Sequence, residues 1–539
     1  MLIRLTKDSP DIILVTGDHY IDHPCYGIAI IARVLQNKGY SVWICAAPSS
    51  EDNFRELRTL PKPKLFFGVS SGNMDSTLSL YTVNKVKRKK ISSDHLTRNM
   101  LISYVNSIRS SHRESMIICG GLEASIRRFV HYDFFTDRIR PGMLEDASAD
   151  YLVFGMAEHT VSDIALACAE DRKESINNIR GICFRTSLNK PEDNTTITLP
   201  SFSEICEDPI ALSRATDMVI NNSESSFFQK NRKHSMIFNP PQHRLSESEM
   251  DSIYDLNYSY RPIPDTEPPP QGFETVKNTV VTHRGCGGGC SFCSITIHQG
   301  KKISSRSLSS ITKEIEYRKM KTVSDLQAPT ANMYASVCKN PANCHRYSCL
   351  YPSRCRFLKI NEIKYIRLLS TVNKLCRNAF IQSGIRFDII SDTLLDFLIQ
   401  NNFISGQIKV APEHSDPEIL RSMHKPDFSI FSDFVERFRK KCRKYKKELY
   451  IIPYIISSFP GADEKNTKRL RKDLIQLLGF VPFQIQDFTP TPGTPATAMY
   501  VRQKRTCRTN IRRLRSLLLN DKHHTKKKDR YRKNHKKKH

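Results

Sequence analysis

Three cysteines, Cys286, Cys290 and Cys293, share the stretch HRGCGGGCSFC at spacing C-x3-C-x2-C. Gly285, Gly287, Gly288 and Gly289 lie among them, so the loop can wrap closely around a bound group. Thiolates select zinc, Cu(I) or an iron–sulfur cluster. Structural zinc wants a closed set of four ligands, and this loop offers three unless His283 or His298 joins them. A 4Fe-4S cluster held by three thiolates keeps one iron open for a non-protein ligand, such as a cofactor bearing an amine and a carboxylate together.

A second group follows in CKNPANCHRYSCLYPSRC, where Cys338, Cys344, Cys349 and Cys355 stand at C-x5-C-x4-C-x5-C. Two readings compete. One is an auxiliary iron–sulfur cluster; the other is a zinc or cluster site that staples a long loop. Arg346, Arg354 and Arg356 nearby favour an anionic group. The remaining cysteines are scattered, several in apolar runs, and read as core thiols. Cys25, in the loop DHPCYG, does not read as a nucleophile.

These loops need elements to hold them. Short apolar runs at 11–16, 40–45, 64–69, 115–119 and 150–155 read as buried parallel strands, with helical patterns such as 26–37 and 95–110 between them. This alternation predicts a flavodoxin-like α/β domain over 1–200. Residues 201–272 are polar and then Pro-rich and read as a connector, with some helix near 246–255. A second alternation fills 273–500, with strands at 278–283, 322–326, 379–382, 407–410, 449–456 and 483–488. Helical segments lie between them at 307–320, 361–376, 388–401, 416–422 with 428–445, and 463–478. Six βα steps predict a partial (βα)6 barrel, whose chemistry belongs at the carboxyl ends of the strands. The first cysteine loop follows the first of these strands.

The chain has 539 residues and a formal charge of +28. Its last nineteen residues, DKHHTKKKDRYRKNHKKKH, contribute +8, and 501–539 reads as a disordered basic tail. The basic body is compatible with RNA or another anionic substrate, and equally with lysine-rich composition alone. No apolar run approaches a membrane span, and MLIRLTKDSPD lacks the apolar core of a signal peptide. A cytoplasmic protein is expected, in which clustered thiols mean metal or catalysis rather than disulfides.

The C-x3-C-x2-C loop, with Phe292 before its last cysteine and a barrel strand before it, resembles the radical SAM superfamily. THRGCGGGCSFCSITIHQGKKISSRS is similar to the YgiQ family within it, as are ILVTGDHYIDHPCYG, GGLEASIRRFVHYDF, PTANMY, FIQSGIRFD, IKVAPEHS, YIIPYIISSFPG and QDFTPTP. The resemblance implies a 4Fe-4S cluster on Cys286, Cys290 and Cys293, S-adenosylmethionine on the open iron, and a low-potential electron donor. It implies an enzyme in which cleavage of the cofactor yields a 5′-deoxyadenosyl radical for hydrogen abstraction. By position, Phe292, Gln327, Ala328, Ser383, Arg386 and Glu413 would approach that cofactor, with His414 beside Glu413. Gln327 and Ala328 stand where the family has two glycines, so a close backbone approach is restricted there. The alternatives are a metal-stapled RNA-binding protein without catalysis, or a methylthiotransferase-like RNA modifier with an N-terminal cluster on Cys25, Cys45 and Cys119. The loop Asp22–Gly27 departs from the D-x-H-x-x-G pattern of cobalamin-ligating domains.

Overall fold

The computed structural model describes residues 1–6, 8–88, 97–191, 193–270, 272–340, 344, 346–482, 484–504 and 511–519. The N-terminal half is built on one ten-stranded sheet. Its centre consists of five parallel strands: Ile12–Thr16, Val42–Ala46, Phe66–Ser70, Met116–Gly120 and Tyr151–Val153. Val42–Ala46 lies on one side of Ile12–Thr16, and the other three follow in chain order on its far side. The first two are buried at every position, because helices cover both faces of a parallel sheet.

The sheet is not parallel throughout, and it does not stop at residue 200. Leu2–Arg4 joins one edge antiparallel, and Ile182–Thr186 pairs antiparallel at the other. Ser235–Phe238 and Phe227–Lys230 then continue it. The stretch read as a connector therefore supplies two sheet strands as well as the helix Pro209–Asn221. Those strands are short and follow a polar turn, so their period-2 signal is weak. The expected helix near 246–255 is present at Glu247–Tyr254, with a capping box on Ser246 and Glu249.

In the C-terminal half the six expected strands occur in order. Thr279–Val281 pairs parallel with Asp325–Gln327, and Thr322–Val323, in the same run, pairs with Asn378–Ala379. Ile385 donates its backbone N–H to the Lys409 carbonyl, linking the third strand to Gln407–Glu413. Tyr450–Ser457 and Ile485–Asp487 complete the arc. The first and last strands each have one partner among the described residues, so the arc stays open. Helices Leu308–Tyr317, Glu362–Leu375, Asp392–Gln400, Phe428–Lys444 and Glu464–Leu478 lie between the strands, and the largest apolar core fills the space they enclose.

The basic tail does not begin at 501. A helix runs from Pro495 to Lys504, and Ile511–Leu519 forms another that buries Leu514 and Leu518 against Glu464–Leu478 and its neighbours. Its arginines mask an amphipathic pattern that composition alone reads as charge. The rest of the expected tail, 505–510 and 520–539, lies outside the described residues. No helix among the described residues is long and apolar enough to cross a membrane.

Candidate functional site

The cysteine loop begins where His283–Arg284 pairs with Ser304–Ser305, just past the first barrel strand. It is tied down on several sides. Cys286 N–H donates to the Gly300 carbonyl (3.2 Å) and Cys293 N–H to that of Cys290 (3.1 Å). Ser291 Oγ donates to the Ser422 carbonyl (2.7 Å), and Ala496 N–H donates to the Ser291 carbonyl (2.9 Å). From the second cysteine group, Ser348 Oγ donates to the Gly288 carbonyl (2.7 Å) and Cys349 N–H to that of Gly287 (2.9 Å). Two glycines are dictated by this packing. A Cβ on Gly288 would lie 2.6 Å from Arg386 Nη1 and 3.3 Å from Cys286 Sγ. Gly289 has φ +57°, and a Cβ there would meet Ser348 at 2.7 Å.

Cys286, Cys290 and Cys293 are each partly exposed and unbridged. Burial, reinforced by Cys290 and Cys286, pushes the Cys293 thiol up to about 12. Any cation that binds must therefore displace its proton. Thr330 Oγ1 lies 3.4 Å from Cys286 Sγ, and Arg386 Nη1 lies 4.0 Å from Cys290 Sγ. Burial opposes the Arg386 charge, but Asp388 and the thiols Cys290 and Cys286 more than offset it. No three His, Cys, Asp or Glu donors among the described residues converge on a single ion. Three thiols that each take a different iron of a cluster have no need to converge. With a glycine cradle and a cation behind it, this donor set fits an anionic iron–sulfur cluster better than one zinc.

The other expected residues divide. Arg386 is held in a fork by Asp388 (2.9 and 2.7 Å). Glu413 is buried at φ +67°, with Lys425 Nζ 3.7 Å away, and burial raises its pKa. Glu413 also raises the Cys293 thiol, and Arg386 lies against the loop at Cys290. Ser383 is engaged within the barrel, donating to Asp325 (2.7 Å) and accepting from Ala328 N–H (3.1 Å). Phe292 packs edge-on to Phe459 (6.3 Å). His414 accepts from Asp416 N–H, is buried, and is lowered to about 4 by burial. Gln327 turns to the N-terminal half, where its Oε1 accepts from Cys25 Sγ (2.8 Å). Its side chain thus has a partner outside the barrel.

In the second group Cys349 and Cys355 are buried, while Cys338 and Cys344 are partly exposed. Cys355 N–H donates to the Cys349 carbonyl (2.8 Å), and Cys338 pairs with Leu358 across a short antiparallel ladder. Arg346 braces the loop through the carbonyls of Ser348 and Tyr351 (3.0 and 2.9 Å). The group therefore abuts the first cysteine loop. An N-terminal cluster on Cys25, Cys45 and Cys119 does not form. Cys45 and Cys119 are buried in strands three spacings apart, roughly 14 Å. In the loop Asp22–Gly27, His23 is buried, its Nδ1 accepts from Cys25 N–H, and burial lowers it to about 3. Tyr347 and His424 carried no sequence signal. Among the described residues the buried Tyr347 hydroxyl, near Cys290 and Cys293, has no hydrogen-bond partner, and His424 Nδ1 lies 3.2 Å from the Gly289 carbonyl.

A cavity of about 510 Å³ opens between the two halves. Thr16, Ser70 and Gly120 bring to it the carboxyl ends of the N-terminal sheet; Ser294, Gln327 and Ala328 bring those of the barrel. Open α/β sheets and barrels each place ligands at that end, and here the two coincide.

Residues 2–279 match the Radical SAM N-terminal family. A UPF0313 protein of Clostridium botulinum (strain 657 / Type Ba4) is 37% identical over 520 residues, 92% of this chain and 81% of that protein. One from Methanocella arvoryzae is 38% identical over 524 residues, 93% and 86% of the two chains. Among solved structures, the radical S-adenosylmethionine methyltransferase TsrM from Kitasatospora setae, with cobalamin and a [4Fe-4S] cluster bound, superposes with a TM-score of 0.54. That match has 14% identity and covers 91% of this chain and 74% of TsrM.

Proposed function

Because the chain belongs to the UPF0313 (YgiQ) family of the radical SAM superfamily, we propose that it is a radical SAM enzyme holding one 4Fe-4S cluster on Cys286, Cys290 and Cys293. The observation that carries this reading is three unbridged thiols on a glycine loop at a barrel's carboxyl end, backed by Arg386 and set beside the inter-half cavity. When bound, the cluster and S-adenosylmethionine would supply the one-electron cleavage that yields a 5′-deoxyadenosyl radical for hydrogen abstraction.

The chain's own residues position and shield. Arg386 places a cation against the anionic thiolates, and Asp388 fixes its fork. Phe292 closes the apolar side of the loop through Phe459. The N-terminal sheet caps the barrel mouth and limits water, which a radical intermediate requires. With Gln327 anchored on Cys25, the departure from two glycines leaves its side chain occupied away from the barrel. The second cysteine group sets four free thiols against the first loop, a donor set that suits either an auxiliary iron–sulfur cluster or a structural zinc. Residual basic charge is compatible with an anionic substrate.

The test is anaerobic reconstitution of wild type and a Cys286/Cys290/Cys293→Ala variant, followed by iron, sulfide and 5′-deoxyadenosine analysis with a strong reductant. Wild type should hold cluster and form 5′-deoxyadenosine, and the variant should not form it. Zinc alone, or cluster without cofactor cleavage, removes the catalytic reading in favour of a binding protein.

A further inference from the structure

The motif GGLEASIRRF contains two adjacent arginines with opposite fates. Arg127 is buried and donates twice to Asp75 (2.6 and 3.1 Å). Arg128 turns the other way, into a second and larger cavity of about 710 Å³. There Nη1 donates to the Ser125 carbonyl, Nε is buried without an acceptor, and no carboxylate among the described residues pairs with it. Its guanidinium lies between the rings of Phe129 and Phe154, 4.6 and 4.7 Å from their centres. Stacking of this kind stabilises a desolvated cation only partly. An inward guanidinium without a counter-charge is costly to keep, unless an anion completes it.

The rest of the cavity fits that anion's carrier. Leu212, Phe227 and Phe238 form an apolar wall. Cations dominate the charged lining. Among the described residues Arg244 and Lys301 donate to the carbonyls of Ile303 and Arg346 (both 2.6 Å) and pair with no carboxylate, and the acid Glu224 is 3.0 Å from Lys302. The volume lies within the range of sites for small organic ligands. The cavity also reaches the cysteine loop. Thr296 to Lys302 line it directly downstream of Cys293, as does Tyr347, and Arg284, His298 and Gln299 line both cavities.

The geometry points to a binding site in this cavity for a small molecule with an aromatic or similarly flat apolar body and one anionic group, a carboxylate or a phosphate, received by Arg128. Such a molecule would lie one short helix, Ile295–His298, from the cofactor-side cavity, in position to be the substrate class of the radical chemistry proposed above. The binding site itself does not rest on that chemistry, because none of its residues is a cluster ligand.

The test is calorimetric titration of the full chain with three probes: naphthalene-2-carboxylate, 2-naphthyl phosphate and neutral 2-naphthamide. Wild type should bind at least one anion more tightly than the amide, and the preferred anion identifies the head group. Arg128→Gln should weaken that anion by about 10- to 100-fold and move the amide by less than about 2-fold. The unliganded Arg128→Gln protein should melt no lower than wild type, since it loses an unpaired cation rather than an ion pair. The same titrations in the Cys286/Cys290/Cys293→Ala variant should give unchanged affinities, so failure of the cluster reading leaves this result intact. Equal anion affinity in Arg128→Gln, amide binding as tight as anion binding, no binding by wild type, or a lower melting temperature in Arg128→Gln overturns the proposal.

Discussion

A glycine-to-alanine series in the cysteine loop gives graded outcomes that follow from distances and one backbone angle. At Gly288 the backbone accepts any residue, so the methyl group's only conflict is with its surroundings: 2.6 Å to Arg386 Nη1 and 3.3 Å to Cys286 Sγ. The guanidinium must retreat by roughly 1 Å to reach van der Waals distance. It cannot do so freely, because Asp388 holds it by two hydrogen bonds. Overpacking of this kind costs about 1–3 kcal/mol, which is about 5- to 150-fold in retention of a group bound against that surface. At Gly289 the same methyl also meets φ +57° and Ser348 Cβ at 2.7 Å, adding about 1–2 kcal/mol of backbone strain. At Gly287 the contacts are milder: the terminal methyl of Met333 at 3.1 Å, which can turn aside, and Cys349 Cβ at 3.2 Å, which must give by a few tenths of an ångström. Iron and sulfide per chain after anaerobic reconstitution, together with the melting temperature of the metal-free protein, separate the three. Gly287→Ala should lose the least. Gly288→Ala should fold normally but lose most of its cluster. Gly289→Ala should suffer in both. Wild-type loading in Gly288→Ala alongside loss in Gly287→Ala would refute the placement of Arg386 against the loop.

Arg386→Gln should destabilise by about 3–5 kcal/mol because it leaves Asp388 buried and unpaired, whereas Arg386→Gln with Asp388→Asn should recover much of that in denaturant melts; additive losses would show the pair to be uncoupled. Burial lowers His283 to about 3 and His298 to about 4, from an ordinary value of 6.5, so the unfolded chain takes up protons first as pH falls. Stability present above pH 6.5 is therefore lost toward pH 4, by about 2 kcal/mol per histidine at pH 5. The melting temperature should drop between pH 7.5 and 5, less steeply in His298→Gln, and a flat profile counts against neutral burial. The Cys286/Cys290/Cys293→Ala variant should retain about two to four irons, lost on adding Cys349→Ala and Cys355→Ala; one zinc there instead makes the second group a structural staple. Leu514→Ala with Leu518→Ala should lower the melting temperature, because both side chains are buried, and no change would mean that helix does not dock.

Local chemistry was legible in the sequence wherever one short segment carried it. The cysteine spacing, the glycines and the strand before them lie within a few residues, and the βα alternation follows from hydrophobic period. The six barrel strands and the five central sheet strands therefore appear where the sequence places them. What depends on contacts between distant segments was not legible. Strands Phe227–Lys230 and Ser235–Phe238 gain their place from a sheet edge formed elsewhere in the chain, and the helix Ile511–Leu519 is decided by the face it buries rather than by its charge. Gln327 reads as an obstruction until Cys25, 302 residues away in sequence, supplies its partner. Arg127 and Arg128 are identical neighbours, and only the fold gives Asp75 to one and an open cavity to the other. Sequence sets residue chemistry and local period; tertiary structure decides which buried charges are answered, because the answering groups arrive from other parts of the chain.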